Sequence, residues 1–247
     1  MKQPLLICLL AVTAVYVSAG APSQTAAAPV VLPVPAFHQN ARILFQGDSI
    51  TDGKRGRDLD PNHILGHGYV FIIAARHGAA FPERNLTFLN RGVSGNTVNE
   101  LAKRWQPDTL ELKPDLLSIL IGVNDSGKGV PLDQFELVYD KLLAEARAAN
   151  PKVRLVLGAP FMLPVGQKQE QYGERSADIK RRQEIVAKLA QKYHAALVRF
   201  QPVFDAACQR APAEHWIWDG VHPTYSGHQL MADEWERTVR DFWPGSS

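Results

Sequence analysis

Five short apolar runs, each followed sooner or later by a stretch with helical spacing, leave this chain few folds to choose from. The runs are Arg42–Gln46, Leu86–Asn90, Leu116–Ile121, Val153–Gly158 and Ala196–Phe200. Leu116–Ile121 is apolar except for Ser118, as a strand covered on both faces requires. Apolar residues recur three or four apart in Gly68–Ala80, Thr97–Trp105, Leu132–Ala149, Ser176–Tyr193 and Thr224–Phe242. Pro107 and Asn150-Pro151 read as helix stops. This alternation predicts a parallel sheet with helices on both faces. A ligand then sits beyond the carboxyl ends of the strands.

Small, polar clusters follow directly after three of the strands: Gly47–Ser49, Gly92–Gly95 and Asn124-Asp125. All three should meet at one rim of the sheet. Ser49, just past the break at Gly47, is the candidate nucleophile. A serine hydroxyl is weak until a base lies within hydrogen-bond reach and a third group orients that base. Of the eight histidines, His222 stands out because Asp219 precedes it in Trp218-Asp219-Gly220-Val221-His222-Pro223. Gly220 and Pro223 disfavour helix, so the segment reads as a turn that folds the Asp219 carboxylate onto one imidazole nitrogen while the other faces Ser49. The plainer alternative is that the pair caps the Thr224 helix. A metal site is the third option, but no second His/Cys cluster supplies the remaining ligands of a closed zinc site.

Attack on an acyl carbonyl also needs donors for the oxyanion. The candidates are the Ser49 N–H, the Gly92 N–H and the Asn124 side-chain amide. Each of the latter two has a simpler local reading, a turn glycine and a turn asparagine. The loop from Thr51 to His67 lies beside Ser49 and is a candidate wall of the cleft.

A chain of 247 residues fits one sizeable α/β domain. Its net charge is only +2, with no basic tract, which argues against nucleic acid as a partner. At the start, Met1-Lys2 is positive, Leu5–Val17 is apolar and Val17-Ser18-Ala19 is small, the pattern of a secretory signal peptide over residues 1–19. The apolar stretch is shorter than the ~20 residues of a membrane span, so no membrane insertion is expected after its removal; a retained anchor is the alternative. Secreted or periplasmic location follows as the expectation. Cys8 would leave with the leader, and Cys208 alone makes no internal disulfide. Residues 20–38, rich in Ala, Pro and Val, read as a flexible lead-in, and 39–247 as a single domain.

Gly47-Asp48-Ser49-Ile50, Asn90-Arg91-Gly92-Val93-Ser94-Gly95, Gly122-Val123-Asn124-Asp125 and Asp219-Gly220-Val221-His222 occur in that order. Together they resemble the four sequence blocks of the SGNH (GDSL-type) esterase/lipase superfamily, over about Arg42 to Trp243. The resemblance implies a flavodoxin-like three-layer α/β/α sandwich with a five-stranded parallel sheet, and no cofactor or metal. It implies Ser49 as nucleophile, His222 as base, Asp219 as its partner, and Ser49, Gly92 and Asn124 as oxyanion donors. Ile50 stands where the motif name has Leu. Asn90–Val98, Gly122–Asp125 and Trp218–Pro223 further resemble the acetylxylan-esterase-like carbohydrate deacetylases. Asp48 and Trp218 are then the expected substrate contacts, Trp218 stacking on a sugar or walling a small acyl pocket. The competing reading packs Trp216 and Trp218 beneath the last helix.

The expected activity is hydrolysis of short acyl esters on a small molecule or polysaccharide. The alternatives are a lysophospholipase, thioesterase or arylesterase of the same superfamily, and a non-catalytic sugar-binding protein. Loss of Ser49 or His222 would mark the last of these, and both are present. Oligomeric state is open.

Overall fold

The structure is a computed structural model that describes residues 30–58 and 60–245. The proposed leader, residues 1–19, and most of the lead-in lie outside these residues. Five strands form one sheet: β1 (Arg42–Gly47), β2 (Thr87–Asn90), β3 (Leu116–Leu120), β4 (Arg154–Ala159) and β5 (Ala196–Arg199). Their order is β2-β1-β3-β4-β5 and every pairing is parallel. The helices are α1 (Ser49–Asp52), α2 (Tyr69–Ala80), α3 (Val98–Lys103), α4 (Val123–Gly127), α5 (Leu132–Ala149), α6 (Tyr172–Tyr193), α7 (Phe200–Ala207), α8 (Ala213–Trp216) and α9 (Tyr225–Phe242). The chain leaves β1 toward β2 on one side and returns to β3 on the other. That change of direction opens a crevice beyond the ends of β1 and β3.

The period-2 pleat sorts the strand residues into two cores. Ile43 and Phe45 of β1, with Val156 and Val198, join Tyr69 and Ile73 of α2, Phe204 of α7 and Trp235 of α9. Leu44, Leu117, Ile119, Leu155 and Leu157 face the other way, onto α3, α5 and α6 through Leu101, Phe135, Leu142 and Val186. The result is the expected three-layer α/β/α sandwich. Ser118, the polar residue of β3, is accounted for by α9: the buried Trp235 Nε1–H donates to its hydroxyl at 2.9 Å. A buried indole N–H ordinarily finds such a partner.

Several details correct the reading from sequence. Val34, Ala36 and Phe37 are 0–1 % exposed, so packing begins ahead of the domain boundary placed at 39. The chain runs on past the expected stop at Pro107 in a π-helical turn, Gln106–Leu110, because proline at the start of a turn removes no N–H that the turn uses. Helix α6 starts at Tyr172 rather than Ser176. Helix α7 follows β5 without a loop; Pro202 disguises it, yet falls in the first turn where proline is tolerated. Ser49–Asp52, which spans the break after β1 and the start of the expected loop, and Val123–Gly127, around the expected turn asparagine, each complete a short helix.

Candidate active site

Ser49 is the first residue of α1. The Asp48 side chain caps that helix by accepting the Ile50 N–H at 3.0 Å. The cap fixes the backbone of the β1–α1 corner and leaves Ser49 half-buried at its tip. Its Oγ lies 2.8 Å from His222 Nε2. On the far side of the ring, His222 Nδ1 lies 2.7 Å from Asp219 Oδ2. The other carboxylate oxygen accepts the N–H groups of Val221 and His222 at 3.0 and 2.8 Å, which makes the 219–222 segment a tight turn. Capping of α9 falls instead to the Thr224 hydroxyl, which accepts from Gly227 N at 3.2 Å. The capping alternative for Asp219 and His222 therefore does not describe this chain.

Burial pushes the Asp219 carboxyl up. The hydrogen bonds from the His222 backbone and ring and from Val221 outweigh it and hold the group down at about 2. Asp219 is thus a carboxylate at any ordinary pH, suited to orienting an imidazole and stabilising its cation. Lys168 Nζ, 3.1 Å from the same Oδ2, ties the loop after β4 to this turn.

The proposed oxyanion donors divide. The Ser49 N–H has no partner among the described residues. Asn124, in the first turn of α4, donates one amide hydrogen to Asn96 O at 3.0 Å, which orients the group and leaves the second hydrogen for the cleft. Gly92 is a correction. Its N–H donates to Asn90 Oδ1 at 2.9 Å, and its Cα lies beneath α1. Its role is steric and it offers nothing to the cleft. Gly95, three residues on, lines the cleft, and its N–H has no partner among the described residues. At φ +80° it holds a left-handed backbone that favours glycine.

Asp48 is a second correction. It is 1 % exposed, Oδ1 is spent on the cap, and Oδ2 faces the interior without a partner among the described residues. Burial, opposed by the cap hydrogen bond and reinforced by the charge of Asp125, raises its carboxyl to about 7. It cannot touch a substrate. Trp218 is 57 % exposed, and its ring stacks at 27° on that of His222, 6.3 Å between centroids. Only Trp216 packs beneath α9, at 6 % exposure.

Sequence reasoning missed the groups that hold these parts together. Asn90 Nδ2 donates to Thr51 O at 2.7 Å and Leu65 O at 2.9 Å, pinning α1 to the end of β2. Asp52 accepts from Ser94 N–H and Oγ–H and from both Arg57 terminal nitrogens, at 2.8–3.0 Å. Burial raises that carboxyl and the Arg57 and Ser94 hydrogen bonds more than reverse it. Arg104 spans Gln46, Gly47 O, Arg91 O and Asn96, and Asn96 in turn carries Asn124. An arginine in a helical stripe carries no sequence signal for this, and Asn90, a strand end that also opens the second sequence block, carries none for the bonds its side chain makes. His67 and His228 also line the cleft, a space of about 490 Å³ that contains Ser49, Asn124 and His222. No cluster of three potential metal ligands occurs among the described residues.

Residues 45–230 match the GDSL-like Lipase/Acylhydrolase family. An acetylxylan esterase of Geobacillus stearothermophilus is 31% identical over 221 residues, covering 82% of this chain and 95% of that protein. Among solved structures, the acetylxylan esterase Axe2 of the same organism superposes with a TM-score of 0.73 at 30% identity, covering 83% of this chain and 96% of that one. LAE5, an alpha/beta hydrolase enzyme from the metagenome of Lake Arreo, Spain, superposes with a TM-score of 0.74 at 30% identity over 85% of this chain and 99% of that one. A corner serine set against an imidazole and a carboxylate, on a fold shared with esterases over most of its length, places this chain in the GDSL-like lipase/acylhydrolase family, as a carboxylic ester hydrolase of the SGNH type.

Proposed function

We propose that the protein is an exported serine esterase that removes short acyl groups, acetyl first, from a carbohydrate. The observation that carries the reading is the unbroken line Ser49 Oγ–His222–Asp219, at 2.8 and 2.7 Å, opening into a polar cleft. His222 Nε2 takes the Ser49 proton as Oγ attacks the acyl carbonyl. The Ser49 and Gly95 N–H groups and the Asn124 amide receive the oxyanion. Collapse expels the alcohol, which takes its proton from His222, and leaves an acyl-enzyme. Water, deprotonated by the same nitrogen, then attacks the acyl carbon, releasing the acid and restoring Ser49. Asp219 stays ionised throughout.

Exposed Trp218, stacked on the catalytic imidazole, offers a flat apolar face at the mouth of the cleft, as sugar rings prefer. The acetylxylan esterase relatives support the same substrate class. The leader-like residues 1–19 support export. Ser49→Ala should lower kcat on p-nitrophenyl acetate by at least about 10³-fold with an unchanged melting temperature. Undiminished turnover in that variant would remove Ser49 from the chemistry. A wild-type preference for long acyl chains would move the substrate to lipids or thioesters.

A further inference from the structure

His228, in the first turn of α9, lines the same cleft as Ser49 and His222 but takes no part in the steps above. Its ring is pinned from several sides. It lies flat over Gly68, where any Cβ would meet its Cε1 at 3.0 Å and its Nδ1 at 3.2 Å. The Tyr69 ring stacks on it at 15°, and His67 meets it edge-on at 86°, each with centroids 6.5 Å apart. The Tyr69 backbone N–H lies 3.2 Å from Nδ1. A backbone N–H only donates, so Nδ1 holds a lone pair and the single ring proton sits on Nε2. Burial, with the neighbouring His67 and His222, holds the ring down at about 4. Nε2 has no hydrogen-bond partner among the described residues. The cleft therefore contains a neutral imidazole that is fixed in one tautomer and presents only an N–H.

Such a group cannot act as a base at Nε2, and the oxyanion donors come from other elements. An acetyl group offers no further acceptor, so the oxygens left for this N–H belong to the alcohol. We infer that His228 is a specificity-determining residue whose Nε2–H hydrogen-bonds a hydroxyl or ring oxygen of the carbohydrate bearing the ester. The inference rests on the carbohydrate reading above. A site built to bond a substrate oxygen discriminates strongly against substrates that lack it.

The test compares wild type and His228→Asn on p-nitrophenyl acetate, whose leaving group has no hydroxyl, and on a monoacetylated methyl xyloside. Asparagine keeps an acceptor for the Tyr69 N–H, while its own amide N–H sits at the ring's Cδ2 position, short of where Nε2 reaches into the cleft, and a thermal melt checks that the fold survives. The ratio of kcat/KM on the xyloside to that on p-nitrophenyl acetate should fall by about tenfold or more, chiefly through KM. An unchanged ratio, whether both rates hold or both fall together, would make His228 a packing residue and overturn the inference. A wild type active on p-nitrophenyl acetate but inert on the xyloside would overturn the carbohydrate reading itself, and the inference with it.

Discussion

Asp48 and Ser49 are neighbours with opposite fates. One carboxylate turns into the core to cap α1, and the hydroxyl beside it turns out to the cleft. The burial of Asp48 has a consequence for stability. Its carboxyl is raised from an ordinary 3.8 to about 7, so the folded state resists ionisation while the unfolded chain ionises freely. Below pH ~4 both states hold the proton and the group contributes no pH dependence. Between pH ~4 and 7 the unfolded state loses its proton first, and stability falls as pH rises through that window; above it the loss is complete. Asp48→Asn keeps an acceptor for the Ile50 N–H and cannot ionise. Melting temperatures measured from pH 4 to pH 8 should therefore decline less in the variant than in wild type. Part of the slope should persist, because burial also raises the Asp125 carboxyl, to about 6. Parallel curves for the two proteins would show that Asp48 ionises in the fold without hindrance.

At the scale of elements, α1 is a wedge four residues long whose position decides where Ser49 points. Asn90 holds it by the carbonyl of Thr51, Asp52 ties it to Ser94, and Gly92 lets its backbone approach the turn after β2. A Cβ on Gly92 would lie 2.8 Å from Asp52 Cα and Thr51 C, main-chain atoms that cannot rotate away. Gly92→Ala should therefore displace α1, costing about 1–3 kcal/mol of stability and lowering kcat as Ser49 moves off His222. Denaturant unfolding and p-nitrophenyl acetate turnover read the two effects, and wild-type values in both would refute the close approach. The contrast with Gly95 shows what was legible in the sequence and what was not. Ser49, Asp219 and His222 carry local signals, a strand broken by glycine and a turn bracketed by Gly220 and Pro223. The choice between Gly92 and Gly95 depends on where the Asn90 side chain spends its acceptor, which no local pattern encodes. His228 was equally hidden, since its ring leaves a helix to reach the cleft only because Gly68 yields the space. The strand pattern read well because a buried parallel sheet demands near-continuous apolar runs, whereas α1, α4 and α7 are short and held by tertiary packing, α1 with a side-chain cap besides.

Across the whole molecule, the rim that carries the candidate site and the structural floor lie at opposite ends of the sheet. Ser49, Gly95 and Asn124 follow the carboxyl ends of β1, β2 and β3, while residues 34–37 close the other end. Arg154, the first residue of β4, donates to Ala36 O at 2.9 Å, and Arg84, just ahead of β2, donates to Phe37 O at 3.0 Å. The Phe37 ring packs edge-on to His77 at 4.9 Å and Phe88 at 5.7 Å and lies 6.1 Å from Trp235, so it seals the seam between β2, α2 and α9. This segment looked like linker because Ala, Pro and Val without periodicity give no strand or helix signal; its burial is entirely tertiary. A chain spanning 39–247 should therefore be less stable than one spanning 31–247. Emptying a buried phenylalanine site alone costs about 3–5 kcal/mol. For a domain of this size that lowers the melting temperature by about 10 °C. Because the lost contacts lie below the sheet, the kcat of the folded fraction at low temperature should stay within about threefold of the longer chain. Equal melting temperatures would return residues 34–37 to the linker, and a collapse of kcat in a fully folded 39–247 chain would mean that the floor of the sheet is coupled to its rim.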